Sequence, residues 1–583
     1  MTGTRAASPP KDVFQGHPFL GFQRQPHPGG SEPFGTDIRW LDAGSALSIY
    51  ADARLDDRSS LAAALDLTAP AAEALTDSQL ILAAYARWGE DCPRRLLGDY
   101  AFAIRDERKR TVFCARDHIG ARPFFYVLDE TRFAFAGDIE TLLDRTGTSA
   151  ELDEDAVAYG LSVFASLPAD RTFLKHVRRL APGHSLTLTA GNARIRRYWS
   201  PEAVPEVRLK DDDAYRDAFL DLHRRAVDDR LASEGRIGVH VSGGLDCSGI
   251  AAAAARTLRA REAPPPFGFS WQSRADEGAP LEGERAWIDT VGRETGIEVF
   301  SAQATPDDLV ALFQRDWARG PDVGNLLHED AIQRRAGSLG VRVMLSGWGG
   351  DEAASFNGRG YYPQLLRQGR LGALARQGRA HGRSLPHFAL SHGLLPLLSA
   401  LLPASRGPQN SLISPAFLRR TRPPAPPPIR TTSIRRAQMD LLNDGHITQR
   451  LEDWAVNGRR HGIEYRYPLL DRRIMEFAYG LPPEQFRRGS WNRWLMRNAM
   501  ATLLPAEIAW NPSKDEPQRI EELNPALLAA LSSIGRILDR RPHPPARAGF
   551  VDMQDLRRRL DDPWEDGRVR LWPIRTALQM LDF

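Results

Sequence analysis

The sequence predicts an α/β protein in two parts, a β-rich N-terminal domain followed by a doubly wound parallel sheet. Over the first ~200 residues, short alternating apolar runs bounded by turns recur at 100–105, 111–115, 124–128 and 133–136, the signature of half-buried strands. From about Asp211 onward, longer amphipathic segments alternate with strand-like runs at 237–241, 267–271, 297–302 and 341–345, which is the pattern of parallel βαβ units. Between about 356 and 450 the composition shifts to Arg, Gly, Leu and Pro, with the run PPAPPP at 423–428. That shift predicts a helical insertion with a stiff loop.

Composition removes several classes of function. The chain has 583 residues, 42% hydrophobic, 26% charged and 8% aromatic, so a wholly disordered or collagen-like protein is excluded. A net charge of +3 implies no global attraction to nucleic acid or to an anionic membrane. Cys92, Cys114 and Cys247 are too few and too scattered for a disulfide framework, which points to a reducing compartment, with the cytoplasm expected. The N-terminal stretch lacks the apolar run of a secretory signal. The greasiest stretch, 388–403, is shorter than the ~20 residues of a membrane span and carries His392 and Pro396. Only five of the basic residues are lysines: Lys11, Lys109, Lys175, Lys210 and Lys514.

The sharpest motif follows the run at 237–241. Val241 leads into Ser242-Gly243-Gly244-Leu245-Asp246-Cys247-Ser248 and then an Ala-rich helix. A strand feeding a Gly-Gly turn into a helix start sets bare backbone N–H groups and the positive helix end against an anion. Gly243 and Gly244 let the backbone approach a phosphate, Ser242 and Ser248 supply hydroxyls, and Asp246 supplies a carboxylate for a magnesium ion. The lysine of a Walker A loop is absent, so ordinary γ-phosphoryl transfer is not indicated.

The strand at 341–345 ends in a second such loop, Ser346-Gly347-Trp348-Gly349-Gly350-Asp351-Glu352. Open α/β sheets bind ligands at the carboxyl ends of their strands, so Asp246 and Asp351 are expected to share one Mg²⁺.

These residues resemble a known family. Residues 242–248 are similar to the pyrophosphate loop SGGxDS of ATP-pyrophosphatases, and 346–352 to the SGxGxDE loop of the asparagine synthetase family. The stretch GIEYRYPLLD at 462–471, residues 489–497, and the segment from Leu504-Pro505 through Trp510 to Lys514 continue the likeness. RDHIGARPFFY at 116–126 is similar to the RDxxGxKPLYY signature of that family's glutaminase domain. The resemblance implies a class II glutamine amidotransferase-like (Ntn) sandwich over 1–205. It also implies an ATP-pyrophosphatase domain, adenine nucleotide α-hydrolase-like, over 206–583. ATP and Mg²⁺ are the implied cofactors, with ATP held by Val241 to Asp246, Ser248, Ser346 and Gly347. The implied chemistry is activation of a carboxylate as an acyl-adenylate, followed by attack of a nitrogen nucleophile. Lys514 is then expected to stabilise charge between acyl carbon and phosphate.

The chain also departs from the family pattern. Glutamine-hydrolysing members carry a cysteine directly after the initiator Met, whose free amine activates the thiol. Thr2 stands there instead, the first strand is expected only near Phe19, and Asp57 replaces a customary Asn, so the first domain is expected to be structural. Trp348 occupies the place of Glu in asparagine synthetases and of Tyr in β-lactam synthetases, and Cys247 the place of Ser. With the middle insertion, these departures resemble lasso peptide cyclases. Such cyclases adenylate an Asp or Glu side chain of a precursor peptide and close a macrolactam with the peptide's own α-amine. Their expected partners are that core peptide, a leader peptidase and a leader-recognition protein, with no nucleic acid and no membrane. Glu464 is the candidate general base, a salt bridge with Arg466 being its other reading. Arg367, Arg370, Arg376, Arg379 and Arg383 are read as a solvated helix face, contact with an acidic peptide or partner protein being the other reading. The alternatives are β-lactam synthetase-like or ammonia-dependent amide formation on a small amino acid, and a non-catalytic homologue that binds nucleotide or peptide.

Overall fold

A computed structural model describes residues 20–22, 39–40, 47–130, 132–162, 167–233, 235–271, 284–400, 412–421, 430–512, 525–540, 547–562, 564–565, 568–569 and 571–581. Its strands in chain order are β1 Leu20–Phe22, β2 Arg39–Trp40, β3 Leu47–Leu55, β4 Gly98–Asp106, β5 Thr111–Arg116, β6 Phe125–Leu128, β7 Phe133–Ala136, β8 Arg178–Arg179, β9 His184–Thr189 and β10 Asn192–Arg197. The second part holds β11 Arg236–His240, β12 Phe267–Ser270, β13 Val299–Ser301, β14 Val341–Leu345 and β15 Glu464–Arg466. Each strand-like run found in the sequence is thus a strand, to within a residue or two at its ends.

The first ten strands form a two-layer sandwich, of order β1-β7-β6-β8 in one sheet and β10-β9-β5-β4-β3-β2 in the other. Alternation explains it. On β4 and β5, Ala101, Ala103, Val112 and Cys114 face the opposite sheet and meet Phe124, Tyr126, Phe133 and Phe135. Phe102, Ile104 and Phe113 face the other way, into the larger core that also takes Leu80, Ile81 and Tyr85 of the helix Asp77–Trp88. Sequence period two therefore becomes two buried faces on one sheet.

The second part is a parallel sheet of order β13-β12-β11-β14-β15. After β11 the chain runs outward to β12 and β13, then returns to place β14 on the other side of β11. The order reverses between β11 and β14, and such a switch point opens a crevice for ligands. In the 356–450 region the chain makes helices, among them Tyr361–Arg367, Leu371–Ala380 and Ile434–Leu442. All five arginines of the predicted basic face are exposed. The run 423–428 lies outside the described residues, as do Thr2 and Lys514. Among the described residues, no helix is long and apolar enough to cross a membrane.

Charge joins the two parts. The RDHIGARPFFY segment folds onto itself: Arg116 donates to the carbonyls of Gly120, Arg122 and Leu180, and Asp117 accepts from the backbone N–H groups of Ile119, Ala121 and Arg122. This tight turn presents His118 to the carbonyl of Leu470 at 2.8 Å and Arg122 to Glu464. Arg116 and Arg179 also pair with Glu452, at 2.9 and 2.8 Å. Arg230, on the connecting segment and 1% exposed, reaches Asp471 at 2.7 Å, Asp56 at 3.4 Å and Asp99 at 3.8 Å. Replacing it by an apolar side chain leaves buried carboxylates uncompensated. Arg230→Met is expected to lower stability by about 3–5 kcal/mol, measured as a drop in the urea midpoint; an unchanged midpoint refutes the structural role of this network.

Candidate active site

The parallel register fixes where chemistry can happen. Val239 of β11 pairs with Leu345 of β14, so the loops that follow both strands leave the sheet at the same edge. The first loop runs from Val241, whose N–H donates to the carbonyl of Phe269 at 2.8 Å, into the helix Leu245–Ala260. Gly244 caps that helix with extended backbone and brings no side chain of its own to the helix start, which lies at this edge of the sheet. The second loop packs directly against the first. A Cβ on Gly347 would lie 2.6 Å from the amide nitrogen of Cys247, and one on Gly350 2.6 Å from Asp246 Oδ1. Only glycine admits this approach.

Asp246 and Asp351 are brought together, with Arg493 between them. Its Nη1 is ion-paired with Asp351 and lies 4.0 Å from Asp246 Oδ2, while also donating to the carbonyl and hydroxyl of Ser355 at 2.8 Å. One cationic group already spans both carboxylates. A single divalent ion suits the same pair, and the Asp351 side chain, 57% exposed, leaves room for the waters magnesium keeps. A tighter carboxylate group, Asp56, Asp229 and Asp471, is neutralised instead by Arg230 and Arg473.

Ser346 is 1% exposed; its N–H donates to the carbonyl of Arg466. Its hydroxyl accepts from the N–H of Trp348 at 3.2 Å and meets His240 Nδ1 at 3.2 Å. His240 Nε2 lies 3.1 Å from Glu329, which also accepts from Trp271 Nε1 at 2.9 Å and from the hydroxyl of Tyr465. Burial opposes ionisation of Glu329, but His240, Tyr465 and Trp271 outweigh it and hold the carboxyl below its ordinary range. The Glu329–His240–Ser346 chain ties the helix Glu329–Ser338 to the second loop. Nothing in the sequence pattern singled out Glu329, His240 or Tyr465, because their partners are 89 and 136 residues apart along the chain.

Ser248 is fully buried with no hydrogen-bond partner for its hydroxyl among the described residues, while Asp246 and Cys247 meet the second loop. One expected role looks different in place. Glu464 is buried between guanidinium groups: Arg466 binds it as a fork at 3.0 and 2.8 Å, and Arg122 comes from the sandwich. Burial raises its proton affinity, but Arg122, Arg466 and Arg54 outweigh it and hold the carboxyl at about 2. A carboxylate so engaged is a poor proton acceptor, so the salt-bridge reading is the one its surroundings support.

Trp348 stands at the rim of the second loop, its ring edge-on to His446 and 6.1 Å from Trp454. Its indole N–H is buried without a partner among the described residues. Beside it His446, bonded to Asp444 and Glu352, is held up to about 9 against its burial and is protonated at neutral pH. Lys514 lies outside the described residues. The segment leading to it is anchored by Arg497, fully buried, whose Nη1 donates to the carbonyls of Ala509 and Asn511.

The fold and the paired loops define the class: a glutaminase-type sandwich joined to a parallel sheet that carries two glycine-rich loops at one edge. The family profile described as "Asparagine synthase" matches residues 218–582, and that described as "Glutamine amidotransferase domain" matches 57–199. The first match covers more than half of the chain, and the chain belongs to the asparagine synthase family. Among curated relatives, asparagine synthetase [glutamine-hydrolyzing] 3 of Bacillus subtilis is 34% identical over 187 residues, 31% of this chain and 30% of that protein. A putative asparagine synthetase [glutamine-hydrolyzing] of Mycobacterium bovis is 26% identical over 473 residues, 76% of this chain and 70% of that protein. The match thus spans less than a third of the Bacillus relative. Among solved structures, the glutamine phosphoribosylpyrophosphate amidotransferase of B. subtilis complexed with ADP and GMP aligns at 13% identity over 54% of this chain and 64% of that one. Its TM-score of 0.21 is too low to carry an argument.

The Glu464 carboxyl gives a signed pH prediction. Its value is held at about 2, below the ordinary 4.5. Its stabilisation is therefore complete above about 4.5 and lost as pH falls through about 2. Urea midpoints measured between pH 5 and pH 2 are expected to fall more steeply for the wild type than for Glu464→Gln, which starts lower; parallel curves count against the assignment.

Proposed function

We propose that the protein is an ATP-dependent amide-forming ligase of the lasso peptide cyclase kind. In this reading ATP lies across the two loops, its phosphates on the uncapped start of Leu245–Ala260 and its nucleoside side against Val241, Ser346 and Gly347. A substrate carboxylate attacks the α-phosphorus, the bond to the bridging oxygen breaks, and pyrophosphate leaves. Mg²⁺ held by Asp246 and Asp351 supplies charge neutralisation for the departing pyrophosphate. An amine then attacks the acyl carbon and AMP departs with the carboxylate oxygen, so one amide forms and ATP becomes AMP and pyrophosphate. The adenylate is a reactive acyl donor, so the amine needs no strong base, in keeping with the engagement of Glu464. Lys514 stabilises charge passing between acyl carbon and phosphate.

The observation that carries the peptide substrate is Trp348. A small zwitterionic amino acid wants polar partners at the loop rim, whereas Trp348 sets a half-buried indole there, backed by the buried Trp454, a surface suited to an extended chain. The sandwich supports the same reading. Cys92 and Cys114 are both fully buried, and burial pushes both thiols up, so neither is a nucleophile. A leader peptidase with its recognition protein would deliver the freed peptide.

The test incubates the protein with ATP, Mg²⁺ and a synthetic leader-free peptide with a small N-terminal residue and an Asp or Glu several positions in. Mass spectrometry is expected to show loss of one water, with stoichiometric AMP. AMP formed with free aspartate and ammonia but not with peptide overturns the peptide reading in favour of small-molecule amide synthesis. Asp246→Ala and Asp351→Ala are each expected to abolish product while far-UV circular dichroism stays unchanged, and normal turnover in either removes the shared magnesium site. Lys514→Ala is expected to retain ATP binding, followed by calorimetry, and lose at least ~100-fold in rate; a wild-type rate removes it from the catalytic set.

A further inference from the structure

Arg450 stands in the first turns of the helix His446–Arg460. Its guanidinium lies over the Trp348 ring, 4.0 Å from the centroid, and 5.5 Å from that of Trp454. Cation–π contact fixes the plane of the fork. Asn325 fixes its root, accepting from Arg450 Nε at 3.1 Å through Oδ1, while the Asn325 amide donates to Asp453 at 2.7 Å and its carbonyl accepts from Trp454 Nε1. Of the five N–H donors of this side chain, only that one has an acceptor among the described residues. No carboxylate pairs with it there, in a protein that pairs most of its buried arginines. The nearby acids are engaged elsewhere: Glu329 by His240, Tyr465 and Trp271, Asp453 by Asn325, and Asp322 by Gln449 and the N–H of Gly324. Burial makes the charge on Arg450 costly, and those acids only partly relieve it. A half-buried guanidinium stacked on an indole and given no carboxylate partner favours an anionic ligand.

Its place says which anion. Trp348, the platform under Arg450, directly follows Ser346 and Gly347 in the second loop, so the guanidinium stands beside the residues assigned to the nucleotide. We propose that Arg450 is the binding residue for the substrate carboxylate that ATP activates, with Trp348 as its platform and Asn325 as its anchor. This assignment rests on the amide-forming reading of the site. A guanidinium holding one carboxylate oxygen steers the other toward the α-phosphorus. The ion pair disappears when the acid becomes an amide, so the fork favours substrate over product.

Two anions compete for the assignment, the substrate carboxylate and an ATP phosphate, and kinetics separate them. The probes are the Asp- or Glu-bearing peptide and its Asn or Gln counterpart, assayed with Arg450→Met, Arg450→Lys and the wild type. Arg450→Met is expected to raise KM for the acidic peptide about tenfold or more, with KM for ATP within about twofold, and Arg450→Lys to recover part of the loss. The wild type is expected to bind the acidic peptide at least about tenfold tighter than the amide peptide, and Arg450→Met to bind both alike. That loss of discrimination is not produced by a general loss of packing. Should Arg450→Met not fold, Arg450→Lys and Arg450→Gln carry the same comparison. A rise in KM for ATP with peptide KM unchanged, or discrimination kept by the variants, overturns the proposal. If the wild type activates free aspartate rather than peptide, the peptide reading fails, and the comparison repeated with aspartate and asparagine still decides the role of Arg450.

Discussion

Everything at the candidate site depends on the parallel pairing of β11 with β14. Two parallel strands end at one edge, so the loops after them share one crevice, and here they share it at backbone contact distance. Gly347 lies on Cys247 and Gly350 on Asp246 because no side chain intervenes. That approach puts the Asp246 and Asp351 carboxylates on one guanidinium, Arg493. It also lets Ser346 join the buried chain that runs through His240 to Glu329. A slip of this register would move one loop along the edge and dissolve the carboxylate pair.

The second constraint is electrostatic and runs between the two parts of the molecule. β15 is an edge strand of the parallel sheet, and its Glu464 is neutralised from the sandwich by Arg122 and within the strand by Arg466. Glu452 of the neighbouring helix is likewise held by Arg116 and Arg179. The RDHIGARPFFY turn therefore acts as a plug whose cations fill carboxylates of the other part. A buried carboxylate left without its cation is strongly destabilising, which gives the sandwich a reason to persist that is independent of any chemistry of its own. It also braces β15, from which Arg466 supports the second loop through Ser346.

A third feature is the concentration of aromatic rings at the carboxyl edge of the sheet. Trp271, Trp348, Trp454 and Tyr465 come from a strand end, a loop, a helix and a strand, and His240 contacts three of them. Trp271 and Tyr465 satisfy Glu329 through their N–H and O–H groups, and Trp454 donates to the carbonyl of Asn325. Trp348 and Trp454 also carry the guanidinium of Arg450 over their rings.

Much of this was legible in the sequence. The strands at 111–115, 133–136 and 341–345, the parallel character of the second part and both glycine loops follow from periodicity and from the glycine spacing after each strand, which are local properties. Asp246 and Asp351 were recognisable because each sits at a fixed offset from its own strand end. The surroundings of Glu464 were not, because a carboxylate's character depends on which cations fold against it. Arg450 and Glu329 carry no local signal at all: in a chain this rich in arginine, one guanidinium differs from another only by the partners that distant segments bring or withhold. Local residue pattern determined the fold class and the position of the loops, since both follow from spacing along the chain. Only the tertiary structure decided which charges are neutralised and which stay open, since that depends on groups a hundred or more residues apart meeting in a medium that no longer screens them.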